Sequence, residues 1–233
     1  MKKIIIFLVV IVAFILYFIF AKDPTETPVA TPETSFVNLC FYKEVPTESG
    51  FSDRAWLWMN LDGERVIGEY QNIPAEKDSK VGIFQGTVGA VDPTSMARTA
   101  DLWWEAKAEG TTVLEQLRVV FGEGTASVGF AEMVDRGDGV YVYKDENNIT
   151  YWQELSDVSC DDLSEQLLVE EYVRANIGTL VKEEAVLGGS WYVVSLVVNP
   201  STDTVDVVYE DGHIQGETTL SYMVENGIVL IAE

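Results

Sequence analysis

Ala55-Trp56-Leu57-Trp58-Met59-Asn60-Leu61-Asp62-Gly63-Glu64-Arg65-Val66-Ile67-Gly68-Glu69-Tyr70 reads as two strands and the turn between them. Its first half puts Ala55, Leu57, Met59 and Leu61 on one face and Trp56, Trp58 and Asn60 on the other. A period of two belongs to extended chain, whose successive side chains point to opposite faces. Asp62-Gly63 is a hairpin dipeptide, because glycine accepts the positive φ that a tight turn requires.

The same pattern repeats on either side. Strands are predicted near 36–44, 54–61, 64–72, 80–91, 100–109, 114–121, 126–134, 139–144 and 149–155, with turns at Gly122-Glu123-Gly124 and Asp135-Arg136-Gly137-Asp138-Gly139. Short sequential connections favour an antiparallel, up-and-down, calycin-like β-barrel over a two-sheet sandwich, although both give this alternation. In the strand after Ala100, Leu102, Trp104, Ala106 and Ala108 share a face opposite Trp103, Glu105, Lys107 and Glu109. Large and small residues therefore alternate on the apolar side, as a tapered interior needs.

Beyond Cys160 the period changes. Leu163, Leu167, Leu168, Tyr172, Val173 and Ile177 recur at helical spacing, with Asp162 as the expected cap and Gly178 as the expected end. Four strands follow near 191–198, 204–210, 213–224 and 228–232, with hairpin dipeptides at Asp211-Gly212 and Asn226-Gly227. The chain is thus expected to be mainly β, with a barrel-like domain over 36–160 and a small α+β domain over 161–233, one helix on an antiparallel sheet.

Before the barrel, Met1-Lys2-Lys3 precedes seventeen uncharged residues, Ile4 to Phe20. In a signal-anchor helix over 1–21, the eighteen residues from Ile4 to Ala21 would span roughly 27 Å, near the thickness of a bilayer's hydrocarbon core, and no A-x-A site ends the run, which favours an uncleaved anchor over a cleaved signal peptide. Lys2 and Lys3 predict a cytoplasmic start, hence a single pass through the cell membrane with the later domains outside. Residues 22–35, KDPTETPVATPETS, read as an extended Pro/Thr-rich stalk.

The formal charge of −23 disfavours phosphate backbones and anionic lipid surfaces, so nucleic acid is not an expected partner. The two cysteines, Cys40 and Cys160, would lie in an oxidising compartment and are expected to pair, against the alternatives of free thiols or a metal pair. The bond would close a loop of about 120 residues, for which loop-closure entropy gives about 4 to 5 kcal/mol.

Ile73-Pro74-Ala75-Glu76-Lys77-Asp78-Ser79-Lys80-Val81-Gly82-Ile83-Phe84-Gln85-Gly86-Thr87-Val88-Gly89, Val134-Asp135-Arg136-Gly137-Asp138-Gly139-Val140-Tyr141 and Tyr209-Glu210-Asp211-Gly212-His213-Ile214 resemble stretches of uncharacterised, membrane-anchored exported proteins of bacteria. The resemblance implies a bacterial, outward-facing protein and assigns no activity.

Chemistry-bearing motifs are sparse. The single histidine, His213, flanks a turn and is expected to face Glu210, and no zinc, nucleotide or nucleophile-elbow motif occurs. No cofactor is implied. Leu57, Met59, Trp104, Phe130 and Glu132 fall on inward faces and are the candidate ligand-lining residues, with Glu132 and Arg118 a candidate ion pair. Asp135, Asp138 and Asp145 are a calcium candidate without the spacing of an EF-hand. The expected function is a non-enzymatic, membrane-anchored module that binds a small ligand or a protein. The alternative is a carboxylate hydrolase of saccharides, which needs two acids across one cleft, with Glu105, Glu109 and Glu132 as candidates.

Overall fold

A computed structural model describes residues 36–48 and 51–232. The transmembrane helix expected over 1–21 and the stalk expected over 22–35 lie outside the described residues. Among the described residues no helix is long and apolar enough to cross a membrane.

The first seven strands are β1 (Val37–Pro46), β2 (Ser52–Asp62), β3 (Arg65–Ile73), β4 (Lys80–Val88), β5 (Arg98–Ala108), β6 (Thr111–Gly122) and β7 (Thr125–Phe130). After the short β8 (Met133–Asp135) and β9 (Val140–Tyr143) comes β10 (Thr150–Val158). Strands β1 to β7 each pair antiparallel with the next, and β10 pairs with both β7 and β1, so eight strands close a barrel without a free edge. The hairpins are tight. Asn226-Gly227, Glu109-Gly110 and Glu123-Gly124 each have positive φ at both turn residues, the conformation whose twist matches the flanking strands. In the β2–β3 hairpin Asp62 pairs with Arg65, so the loop residues are Gly63 and Glu64, one position later than the Asp-Gly dipeptide suggests.

The interior follows the alternation. Ala55, Leu57, Met59 and Leu61 of β2 meet Ala100, Leu102, Trp104 and Ala106 of β5 in one buried cluster. Room for the large rings comes from glycine on the inner face of β4. A Cβ on Gly82 would lie 2.0 Å from the carbonyl oxygen of Glu105, and the Gly82 carbonyl accepts the Trp104 indole N–H at 2.9 Å. The close approach of β4 to β5 is therefore available only to glycine.

Two expected strands behave differently. The run predicted over 126–134 breaks at Phe130, and the one predicted over 139–144 is not part of the ring. Instead β9 lies parallel to the first half of β6, through Leu114 and Glu115, and pairs with β8 as an outer hairpin. Strand β7 is held to β6 only from Val119 to Gly122, so the two strands part below that point. This split opens one end of the barrel.

Helix α1 (Cys160–Leu180) starts directly after β10. Ser159, not Asp162, is its cap, accepting the Asp162 N–H at 3.4 Å, and the helix runs two residues past Gly178. Four strands, β11 (Tyr192–Asn199), β12 (Thr204–Glu210), β13 (Gln215–Glu225) and β14 (Ile228–Ile231), form a separate antiparallel sheet in that order. Val169, Val173 and Ile177 of α1 pack on Val193, Leu196, Val205, Val207 and Tyr209 of this sheet. Asp211 organises the β12–β13 loop. Its carboxylate accepts N–H groups of Ile214, Val186 and His213, and these bonds hold its pKa below the usual aspartate range.

The opposite side of α1 touches the barrel. Leu163 packs with Trp56 and the Cys40 side chain, which explains why Trp56 is buried although it sits on the outer face of β2. Glu170 forms an ion pair with Arg54 of β2 and accepts the Gln166 amide at 3.1 Å. Cys40 and Cys160 are joined in a disulfide with their Cα atoms 5.1 Å apart, at the closing seam where Cys40 pairs with Val158.

Candidate functional site

The split between β6 and β7 exposes a cavity of about 210 Å³ at one mouth of the barrel. Tyr143 of β9 spans the gap: its hydroxyl accepts the Arg118 N–H and donates to the Gly129 carbonyl, each at 3.0 Å. It thereby replaces one rung of the missing β6–β7 ladder with a side chain. Burial pushes its pKa up to about 12.

Beneath Tyr143 lie polar groups that the interior would otherwise exclude. Glu115 of β6 is only 6% exposed and pairs with the Lys80 ammonium of β4, while its buried Oε1 receives no well-oriented hydrogen bond. The same ammonium sits 5.3 Å from the centre of the Trp104 ring, a cation–π distance. Tyr70 donates its hydroxyl to Gln153 Oε1, and Gln153 Nε2 donates to Asn72 Oδ1 at 2.9 Å. The rings of Tyr70 and Trp104 are 5.0 Å apart. Burial holds the Tyr70 hydroxyl well above its ordinary pKa, so it stays a donor.

Of the residues expected to line a cavity, Trp104 and Phe130 do so. Leu57 and Met59 point inward but are fully buried in the packed part of the core, away from the mouth. Glu132 lies outside: with β7 ended at Phe130 it is exposed and pairs with Lys144 at 2.7 Å. The expected Glu132–Arg118 pair therefore does not form. Arg118 is on the outer face of β6, bonded to Asp101 at 2.6 Å and Glu146 at 2.8 Å.

The calcium candidates do not gather either. Asp135 accepts N–H groups of Gly137 and Gly139, Asp138 pairs with Arg136, and Asp145 caps a short 3₁₀ turn through Asn147. Among the described residues no three acids, histidines or cysteines come together as a metal site. His213 is exposed in its loop, and Glu210 instead accepts the Tyr192 hydroxyl. Glu105, Glu109 and Glu132 are all exposed, and Glu115 is the one acid that lines the mouth, so no acid pair faces this cleft.

The polar floor of the mouth could have been found from the sequence. Glu115 alternates with Leu117, Val119 and Phe121, which places it on the inward face of a strand otherwise apolar on that side.

A second, more open concavity of about 690 Å³ lies between α1 and the barrel, lined by Tyr42, Arg54, Trp56, Glu170 and Arg174 among others. Arg54 and Glu170 there are committed to holding the helix. The Arg174 guanidinium is pushed down in pKa by burial and by Arg54, and its Nε has no hydrogen bond. Glu69, Glu170 and Glu171 on the same walls leave this groove without an excess of positive charge.

Comparison of the chain with protein-family models, with curated proteins and with solved structures gives no match.

Proposed function

We propose that the protein is a non-enzymatic binding module that takes a small ligand into the mouth of its barrel. The observation that carries this reading is the Lys80–Glu115 pair, held under an open cavity beside Trp104. Glu115 is buried while Lys80 keeps 38% of its side chain exposed, so the cost of leaving water, several kcal/mol by rough estimate, falls on the carboxylate, and an apolar residue of similar size at that position would stabilise a barrel better. A charged pair at the bottom of an aromatic, solvent-reached recess supports ligand recognition, where a few placed polar groups fix orientation.

The further proposal is that the segment before Phe36 tethers this module to a cell membrane and that the barrel and small domain lie on the outer side. Support comes from Lys2 and Lys3 followed by the uncharged run Ile4 to Phe20. A disulfide between Cys40 and Cys160 suits such a compartment.

The test uses the full chain and a variant in which the mouth is filled, Ala131→Trp. A thermal-shift screen of small polar compounds should find at least one that stabilises the wild type, since a ligand at about one hundred times its Kd adds about 2.7 kcal/mol. The filled variant should unfold near the wild-type temperature and lose that response. If nothing stabilises the wild type, or if the filled variant responds equally, the reading is wrong.

A further inference from the structure

Resting on the ligand-binding reading, we infer that the ligand is a neutral saccharide, held as a single ring in the mouth with its apolar face against the Phe130–Trp152 pair. Trp152 is 65% exposed, yet its ring stacks on Phe130 with centroids 4.8 Å apart and planes 26° from parallel. Phe130 in turn lines the cavity. Trp152 does not itself line the cavity, but its stack on Phe130 carries the aromatic surface from the cavity wall out into solvent, where a ligand entering the mouth can rest on it.

The strand geometry produces the platform. Pairing of β10 with β7 shifts between Thr150 and Gln153, a bulge that turns Tyr151 and Trp152 outward while Gln153 enters the barrel. Bulges re-aim side chains beside sites. One irregularity thus sets both the stacking surface at the rim and the Gln153 contact within.

The groups inside the mouth match hydroxyls. Glu115 is acceptor-only, Lys80 is donor-only, and Asn72 has its oxygen engaged by Gln153, leaving its amide N–H groups to donate. A hydroxyl is donor and acceptor at once, so neighbouring hydroxyls on a ring satisfy an acceptor and a donor set side by side. Lys80 and Glu115 set one positive and one negative group side by side, so the mouth carries no net charge, and a neutral ligand satisfies both without burying an unpaired charge of its own. Size agrees: about 210 Å³ lies below the roughly 300–1,000 Å³ of drug-sized pockets and suits one ring rather than a lipid or dinucleotide.

The experiment titrates the full chain, held in a detergent without a sugar headgroup, with glucose, galactose, N-acetylglucosamine and cellobiose. Glucuronate and glucosamine serve as charged sugar probes, and phenylalanine as a zwitterionic non-sugar of similar size. Calorimetry and tryptophan fluorescence should show saturable binding of at least one neutral sugar. Glu115→Gln should weaken it by about ten- to a hundredfold, the loss of a charge-assisted hydrogen bond. Trp152→Ala, on the surface, should weaken it by about five- to tenfold while lowering the thermal midpoint by no more than about a few degrees, which keeps the test valid if the buried variant folds poorly. Binding confined to glucuronate, glucosamine or phenylalanine overturns the neutral-saccharide assignment and leaves the wider ligand-binding reading standing. Failure of every neutral sugar, or sugar binding that ignores both substitutions, also overturns it, and the filled-mouth experiment then decides the wider reading independently.

Discussion

Among the described residues the Tyr143 hydroxyl is the side-chain group that bonds β6 to β7 below the point where they part, and its removal should be felt there first. Tyr143→Phe leaves the Gly129 carbonyl and the Arg118 N–H without their 3.0 Å partners, a cost of about 1–3 kcal/mol when buried polar groups lose their bonds. Urea unfolding should report that loss at neutral pH. The phenol's raised pKa fixes the sign of its pH dependence. Because the folded state holds the proton more tightly than the unfolded chain, Tyr143 contributes fully below the ordinary tyrosine pKa of about 10 and loses its contribution as pH rises through about 12. The stability gap between wild type and Tyr143→Phe should therefore narrow across that alkaline window. A gap that stays constant would show that the hydroxyl is not bonded as described.

At the scale of elements, α1 is held to two neighbours by different means: apolar packing on its own sheet, and the Arg54–Glu170 pair plus Leu163 on the barrel side. Arg54→Met leaves a buried carboxylate unpaired and should cost about 3–5 kcal/mol, whereas Arg54→Met with Glu170→Met should recover most of it. A double variant no more stable than the single one would assign the loss to packing by the arginine stem. The sequence made most elements legible because their periods are strong: Ala55 to Leu61 alternates cleanly, and Asn226-Gly227 forms the turn its dipeptide implies. Helix α1 starts three residues before the expected position because Ser159 and Asp162 are both good caps, and it is the Ser159 side chain that accepts the Asp162 N–H. The outer position of β8 and β9 was not legible, since local alternation is the same whether a strand joins the ring or leaves it. Trp104 and Phe130 line the cavity because both lie within regular strands, whereas Glu132 lies outside because β7 ends at Phe130, four residues before the expected end.

Across the whole molecule, barrel and small sheet share α1 and should unfold together. Thermal unfolding of the intact, oxidised chain should give one transition by near-UV and far-UV circular dichroism. Reduction of Cys40–Cys160 should lower stability by about 4–5 kcal/mol, and the denatured, unreduced protein should show no titratable thiol. Two separate transitions in the oxidised form would contradict the shared interface. The seam also fixes how the molecule bears mechanical load. Any pull delivered through the chain before Phe36 enters at the end of β1, and Phe36 to Leu39 can peel before the tension reaches Cys40. From there the force passes through a covalent bond into the first turn of α1, by-passing the hydrogen-bonded ladders on either side of β1. A copy tethered through that chain and dragged by flow or by a bound partner would thus lose three residues of strand, Val37 to Leu39, and keep its barrel closed.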